Sequence, residues 1–165
     1  MAKPPTPEAP GATRKFLVIV DDSPEFQAAL RYACRRARST GGRVAMLRVL
    51  EPQAFEHWAK VRDDLERELR RDAEALLQKL GVEAAEMSGS APEFLIETGD
   101  TKGAIKAVLA ADPGIKILVL AAAAGSRGPG PLVASIAKDG VGFGRKLPVT
   151  VVPGDLTAEE IEDLA

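Results

Sequence analysis

Two apolar segments that each run into a turn constrain the fold of this chain most. Residues 16–20 are followed by Asp-Asp-Ser-Pro, and residues 116–120 are followed by a run of alanines and then by a glycine-rich stretch. Continuous apolar runs of this length are typical of parallel strands that are covered on both faces. In an open α/β sheet the ligand crevice lies outside the carboxyl ends of the strands, where the winding reverses. The sequence therefore predicts a crevice where these two turns meet.

Strand-like and helix-like segments alternate along the rest of the chain. Further apolar runs predict strands over residues 44–50, 93–97 and 149–152. Apolar residues at helical spacing predict helices over residues 24–40, 58–80, 101–111 and 132–137. This alternation indicates an α/β fold with an open, parallel, five-stranded sheet and right-handed crossovers.

Polar and glycine residues mark the expected helix ends. Asp22 or Ser23 is expected to cap the first helix, and Asp100 the helix that starts at residue 101. Gly81 is expected to end the long helix, which leaves residues 82–92 as a loop.

The 165 residues divide into three parts. Residues 1–13 contain four prolines and are expected to form a disordered arm. Residues 14–154 form one α/β domain, and residues 155–165 form a helical tail whose Thr157 and Glu160 offer a capping box.

Charge and cysteine content narrow the partners and the compartment. The net charge is −2 with acidic and basic residues mixed, so we expect no nucleic-acid partner. No apolar stretch is long enough to span a bilayer, and no signal peptide is evident, which makes the cytoplasm the expected location with no membrane partner. Cys34 is the one cysteine, so the fold cannot depend on an internal disulfide.

The glycine-rich stretch after the strand at 116–120 is a candidate phosphate loop. Backbone N–H groups that point at an anion are what such a loop provides, ideally at a helix N-terminus. The residues that can supply them are Gly125, Ser126, Arg127, Gly128 and Gly130. Arg127 adds a cation suited to phosphate, and Ser135 can donate a hydroxyl. The alternative is a tight surface loop whose glycines only turn the chain.

Polar residues after the first strand form the other side of the expected crevice. Asp21 and Asp22 can orient a ribose or hold Mg²⁺ through water, unless they only cap the next helix. Phe55 and Trp58 can cover a base, although Trp58 at helical spacing favours a core position. His57 has no serine or cysteine placed to partner it, and no set of residues for turnover is evident, so we expect binding rather than catalysis.

Five short motifs, in order, make the chain resemble the universal stress protein family over residues 14–154. They are Val-Asp-Asp-Ser at 20–23, Arg-Val-Leu-Glu-Pro at 48–52, Glu-Thr-Gly-Asp at 97–100, Gly-Ser-Arg-Gly at 125–128 and Pro-Val-Thr-Val-Val at 148–152.

The resemblance implies a Rossmann-like fold of the adenine-nucleotide alpha hydrolase type, with strand order 3-2-1-4-5 and helices on both faces. It also implies a homodimer and, in many members, bound ATP or a related adenine nucleotide. Carried over by position, Asp21 lies beside the adenosine and the Val49 backbone meets the adenine edge. Gly125 and Gly128 let the chain approach the phosphates.

The second half of the phosphate loop departs from the family pattern. Where nucleotide-binding members have a third glycine and then Ser or Thr, this chain has Lys138 and Asp139. Alignment backward from Pro148 brings Ser135 to that position instead. The residues are equally compatible with a site that binds no nucleotide.

The last predicted strand suggests a self-association surface. In the implied order it begins at Val149 and ends at Val152 on the sheet edge, and an apolar edge pairs readily with another chain. We therefore expect a homodimer through this strand. Three functions follow from these patterns: an adenine-nucleotide-binding stress protein, a dimeric scaffold without nucleotide, and, third, an ATP-hydrolysing or adenylate-forming enzyme. The Ser-Gly-Gly loop of that third class is absent after the first strand.

Overall fold

A five-stranded parallel sheet forms the centre of the molecule. The computed structural model describes residues 14–51, 59–139 and 143–165. The strands are β1 (Lys15–Ile19), β2 (Arg43–Leu50), β3 (Glu93–Thr98), β4 (Ile115–Ala122) and β5 (Val149–Pro153). Their spatial order is β3-β2-β1-β4-β5, and every neighbouring pair is parallel. The strand order implied by the family resemblance is therefore confirmed.

Five helices of the described residues cover the sheet, one after each strand. They are α1 (Phe26–Thr40), α2 (Ala59–Ser88), α3 (Thr101–Ala111), α4 (Pro131–Asp139) and α5 (Ala158–Leu164). Side chains of α1, α2 and α5 pack with Val18 and Val119 in one apolar cluster. Side chains of α3 and α4 pack with Leu17 and Leu118 in a second cluster. Successive strand residues thus face opposite sides, and helices lie on both faces, as predicted.

Cys34 lies in the first of these clusters on the buried face of α1. Burial disfavours the thiolate and, with the nearby charge of Glu83, raises the pKa of Cys34 to about 12. The residue therefore serves as a small core side chain.

Helix α2 continues well past its predicted end at Gly81. The helix runs to Ser88, so residues 82–88 are helical and the predicted loop is shorter than expected. A side chain at position 81 would overlap the ring of Phe94 on β3, which packs across the bare glycine backbone. Gly81 is thus a site of close helix–strand contact, and the interpretation of this residue as a helix terminator is wrong.

The start of α1 also differs from the prediction. The N-cap is Glu25, and its side chain makes no capping hydrogen bond, so neither Asp22 nor Ser23 caps the helix. Asp21 and Asp22 make other contacts, described below. The predicted caps further along the chain are confirmed: Asp100 accepts a hydrogen bond from Gly103 N, and Thr157 and Glu160 form a reciprocal capping box.

The tail helix α5 packs on its own domain. Ile161 is buried in the cluster under α1, and Arg35 Nε donates to Glu162 Oε1 at 2.9 Å. No helix within the described ranges is long and apolar enough to cross a membrane.

Candidate functional site

The crevice lies at the carboxyl ends of β1, β2 and β4, where the strand order reverses. The chain leaves β1 toward β2 through α1, whereas β4 on the other side of β1 is reached through α3 on the opposite face. The described residues there line a cavity of about 470 Å³ between the ends of β1 and β2 and a cavity of about 60 Å³ between the ends of β1 and β4. Asp21 lines both cavities, so it marks the point where they meet.

Asp21 shapes the turn that follows β1. Its Oδ1 accepts hydrogen bonds from the backbone N–H of Ser23 at 3.0 Å and from the Ser23 hydroxyl at 2.5 Å. This side-chain turn keeps the Asp21 carboxylate at the surface of the crevice. It also explains why Ser23 does not cap α1, since the Ser23 hydroxyl already donates to Asp21.

Asp22 is turned toward Arg48 on β2. Arg48 Nη2 lies 3.3 Å from both carboxylate oxygens of Asp22, and Arg48 Nη1 donates to the carbonyl of Val20 at 3.1 Å. Arg48 therefore links the end of β2 to the end of β1 through hydrogen bonds. Asp22 is highly exposed and forms an ion pair with Arg48, whereas Asp21 accepts hydrogen bonds from Ser23 within its own turn.

The end of β2 forms the floor of the wider cavity. Val49 is half-buried and lines this cavity, and Glu51 at its rim accepts a hydrogen bond from the Thr101 hydroxyl at 2.9 Å. The opposite wall comes from one face of α2, through Leu69, Asp72, Ala73 and Leu76.

A compact loop between β4 and α4 closes the narrower cavity. The N–H of Ala123 donates to the carbonyl of Pro129 at 3.1 Å, and Gly125, Gly128 and Gly130 all have positive φ angles. Helix α4 begins with the bond from Ala134 N to Gly130 O at 2.9 Å. The N–H groups of Leu132 and Val133 precede that bond and have no partner inside the helix.

The structure brings together some of the predicted site residues and separates others. Asp21, Asp22 and Val49 line the wider cavity, and Gly130 lines the narrower one. The remaining loop residues lie outside both linings: Gly125, Ser126, Arg127 and Gly128.

Ser135 also lies outside both cavities. Its hydroxyl is buried and has no hydrogen-bond partner among the described residues. Phe55, His57 and Trp58 lie outside the described residues, so their predicted positions stay predictions. No group of three or more metal-ligating side chains occurs within the described part of the chain.

Several residues of the crevice were not anticipated as such. Glu25, Pro129, Pro131, Leu132 and Val133 line the narrower cavity, and Asp72 lines the wider one. The sequence pointed to part of the wider cavity, because Leu69, Ala73 and Leu76 belong to the apolar residues at helical spacing that predict the helix over residues 58–80. No comparable signal singled out Glu25, which follows the turn and is half-buried in the structure.

Comparisons with solved structures agree with this architecture. The chain is 21% identical to the universal stress protein UspA from Lactobacillus plantarum, with 86% of this chain and 99% of that chain covered and a TM-score of 0.68. A universal stress protein in complex with cAMP is 17% identical, with 88% and 100% covered and a TM-score of 0.58.

A third structure is the universal stress protein from Archaeoglobus fulgidus in complex with dAMP, 19% identical, with 86% and 98% covered and a TM-score of 0.55. A search of the curated proteins gives no match to the sequence. Residues 12–153 match the model of the Universal stress protein family, and the chain therefore belongs to that family.

Proposed function

We propose that this protein binds an adenine nucleotide in the crevice around Asp21 and acts through binding rather than turnover. The observation that carries the proposal is the position of Asp21 between a cavity of about 470 Å³ and the N-terminus of α4. The larger volume lies within the range of roughly 300–1,000 Å³ that is usual for small-molecule sites. The described residues thus provide space for a nucleoside beside a group of anion-binding N–H donors.

Each part of the nucleotide has a matching part of the crevice. The base lies in the wider cavity against the backbone of Val49, and the ribose hydroxyls donate to Asp21. The phosphate lies at the start of α4, near the N–H groups of Leu132 and Val133, where the helix dipole favours an anion. The cAMP and dAMP complexes of two structurally similar proteins support an adenine nucleotide as the ligand.

The side chains around the crevice support binding over chemistry. Of the described residues that line the two cavities, none is a histidine, cysteine or lysine. The hydroxyls of Ser23 and Thr101 both donate to carboxylates. If Mg²⁺ accompanies the nucleotide, Asp21 is the carboxylate of this turn that would hold it through water, because Asp22 is paired with Arg48.

Titration calorimetry and thermal unfolding with AMP test the proposal. Wild-type protein should be stabilised by about 2.7 kcal/mol when the ligand is present at one hundred times its Kd. Asp21→Ala should lose at least tenfold in affinity, because it removes the ribose acceptor. The control variant Asp163→Ala removes an exposed carboxylate on α5 and should bind as wild type does.

Absence of binding with AMP, cAMP, ADP and ATP alike would contradict the proposal and favour the scaffold without nucleotide. Equal affinities of Asp21→Ala and wild type would contradict the placement of the ligand.

We further propose that two copies pair through β5 into a homodimer. Strand β5 is a sheet edge, and Val151 on it is 41% exposed. Pairing of two such edges would satisfy backbone groups and cover apolar side chains. We place this dimer in the cytoplasm, because Cys34 is the chain's one cysteine and the fold depends on no internal disulfide.

A further inference from the structure

We infer that the crevice selects adenine nucleotides of low charge, with one phosphate rather than three. The inference rests on the proposed nucleotide binding and concerns which member of that ligand class the site prefers. Three features of the crevice point to this preference: the charges that line it, the small size of its phosphate end and the few donors that the start of α4 supplies.

Acidic side chains dominate the described lining of the two cavities. Five carboxylates contribute to it, and Arg48 is the one cation: the carboxylates are Asp21, Asp22, Glu25, Glu51 and Asp72. Arg48 is held by Asp22 and by the carbonyl of Val20. Arg127, the cation of the β4–α4 loop, is exposed and lies outside both linings. A phosphate in this crevice is therefore surrounded by more negative than positive charge.

The phosphate end of the crevice is small. The cavity at the start of α4 measures about 60 Å³, which is room for only a few water molecules. Asp21 and Glu25 form part of its wall. We therefore assign it a single phosphate, and the outer phosphates of ATP would have to lie outside it or displace its walls.

The start of α4 supplies few donors for a polyphosphate. Pro131 occupies the first helical position and has no N–H, and Pro129 removes another donor from the loop. The backbone N–H groups of Gly130, Leu132 and Val133 remain at this end of the crevice, which suits one phosphate. The dipole of a helix as short as α4 favours an anion within its first turn only, so it does little for phosphates further away.

These features together predict that affinity falls as ligand charge rises. Each added phosphate brings negative charge close to carboxylates without adding a partner cation. Because repulsion between exposed charges is screened by salt, the penalty should shrink as ionic strength rises. This is opposite to the behaviour of a basic phosphate site, which loses affinity in salt.

Calorimetric titrations of the full chain with adenosine, cAMP, AMP, ADP and ATP in EDTA test the inference. We expect ATP to bind at least tenfold more weakly than AMP at low salt, and the gap to narrow at high salt. A gap below tenfold at low salt, or a gap that widens with salt, overturns the inference. Failure of every ligand to bind, adenosine included, overturns the proposed function itself.

A charge-neutralised variant separates electrostatics from cavity size. Glu25→Gln with Asp72→Asn removes two crevice charges and keeps the side-chain shapes. It should raise the affinity for ATP by at least fivefold relative to the affinity for adenosine. The matched control is Glu159→Gln with Asp163→Asn on α5, which makes the same change in net charge away from the crevice and should leave both affinities as in wild type. An equal gain of ATP affinity in both double variants contradicts a role for the crevice carboxylates.

Discussion

The absence of a side chain at Gly81 allows helix α2 to pack closely against Phe94 of strand β3. Gly81 lies inside α2, where a glycine costs helix stability of roughly 1 kcal/mol relative to alanine. Phe94 of β3 packs over it, and Phe94 as a residue remains 43% exposed. The contact explains why a residue that is usually a helix terminator stands in the interior of this one.

A double-mutant cycle tests this account of Gly81. In a Phe94→Ala background, Gly81→Ala should stabilise the protein by about 0.8–1.0 kcal/mol, because only the helix propensity changes. In the wild-type background the new methyl group displaces the Phe94 ring, so the gain should be smaller by at least about 0.5 kcal/mol. Urea unfolding of the four proteins measures both values. Equal gains in the two backgrounds would contradict the contact.

Lys15 joins three segments at the end of the sheet opposite the crevice. Its Nζ lies 2.5 Å from Glu93 Oε2 and 2.6 Å from Asp112 Oδ2. Burial disfavours the charged form of Lys15 and would by itself lower its pKa. The hydrogen bonds and negative charges of Asp112 and Glu93 outweigh burial and raise the pKa of Lys15 above 10.5. The hydrogen bonds from Lys15 and from the Gly114 backbone, with the nearby cations, lower the pKa of Asp112 below 3.8 despite burial.

These shifts predict how the contribution of Lys15 depends on pH. The lowered pKa of Asp112 gives stability that is complete above 3.8 and is lost as the pH falls through the folded-state pKa. The raised pKa of Lys15 gives stability that is complete below 10.5 and is lost as the pH rises through the folded-state value. The difference in unfolding free energy between wild type and Lys15→Met should therefore be largest near neutral pH and shrink at both extremes. A difference that stays constant across urea titrations from acid to alkaline pH would contradict this.

The sequence predicted the positions of some site residues but not their contacts, because a polar side chain at the end of a strand can pair with several different partners. The sequence placed Asp21 and Asp22 at the end of β1, and both line the wider cavity. Their separate contacts could not be foreseen, since the partner of Asp22 is Arg48, which is distant in sequence and reaches it through strand pairing. For the same reason, the proximity of Glu25 to the start of α4 follows from sheet topology and not from any local pattern.

Among the elements, strands were predicted more accurately than helix ends. The apolar run at 16–20 corresponds to Lys15–Ile19, because a continuous apolar run is buried as a strand of the central sheet. The helix predicted at 101–111 is Thr101–Ala111, because Asp100 caps its first turn. Helix α2 passes Gly81, where its backbone packs against Phe94, and ends at Ser88, after which Gly89 has a positive φ and its N–H donates to the Ala85 carbonyl. A pattern of residues cannot show a contact with a strand that follows later in the chain.

Helix α5 depends on one buried side chain and on its cap. Ile161 is 2% exposed against α1, whereas Glu162 is largely exposed in its ion pair with Arg35. Ile161→Ala should destabilise the protein by about 2–4 kcal/mol, since it leaves a cavity in the core. The neighbouring Glu162→Ala should cost less than about 1 kcal/mol, as is usual for an exposed pair. Thermal unfolding measures both, and similar costs for the two variants would show that α5 is not anchored through its apolar face.

At the scale of the whole molecule, the open sheet has two edges that differ in character. The β3 edge carries Glu93 and Glu97, whereas the β5 edge has the sequence Val-Thr-Val-Val-Pro without a charge. Charges on an edge strand oppose pairing with another chain. The distribution of charge therefore favours β5 over β3 as the surface through which two copies would associate.

Replacement of one edge residue tests the proposed dimer. Val151→Lys should shift the protein toward monomer in light scattering after size exclusion, because it puts a charge into the apolar edge. Val82→Lys is the matched control: it changes a valine that is 65% exposed on α2 and should leave the mass unchanged. A monomeric wild type, or equal masses for wild type and Val151→Lys, would contradict pairing through β5.

The burial of Cys34 also determines how the molecule can be probed. With a pKa of about 12, on the order of one thiol in 10⁵ is ionised at neutral pH, so the native chain should resist maleimide reagents. A cysteine introduced at Ser126 would then be the one thiol open to attachment of a fluorophore. A fluorophore on the β4–α4 loop would then report ligand binding, and Cys34 would not have to be removed first.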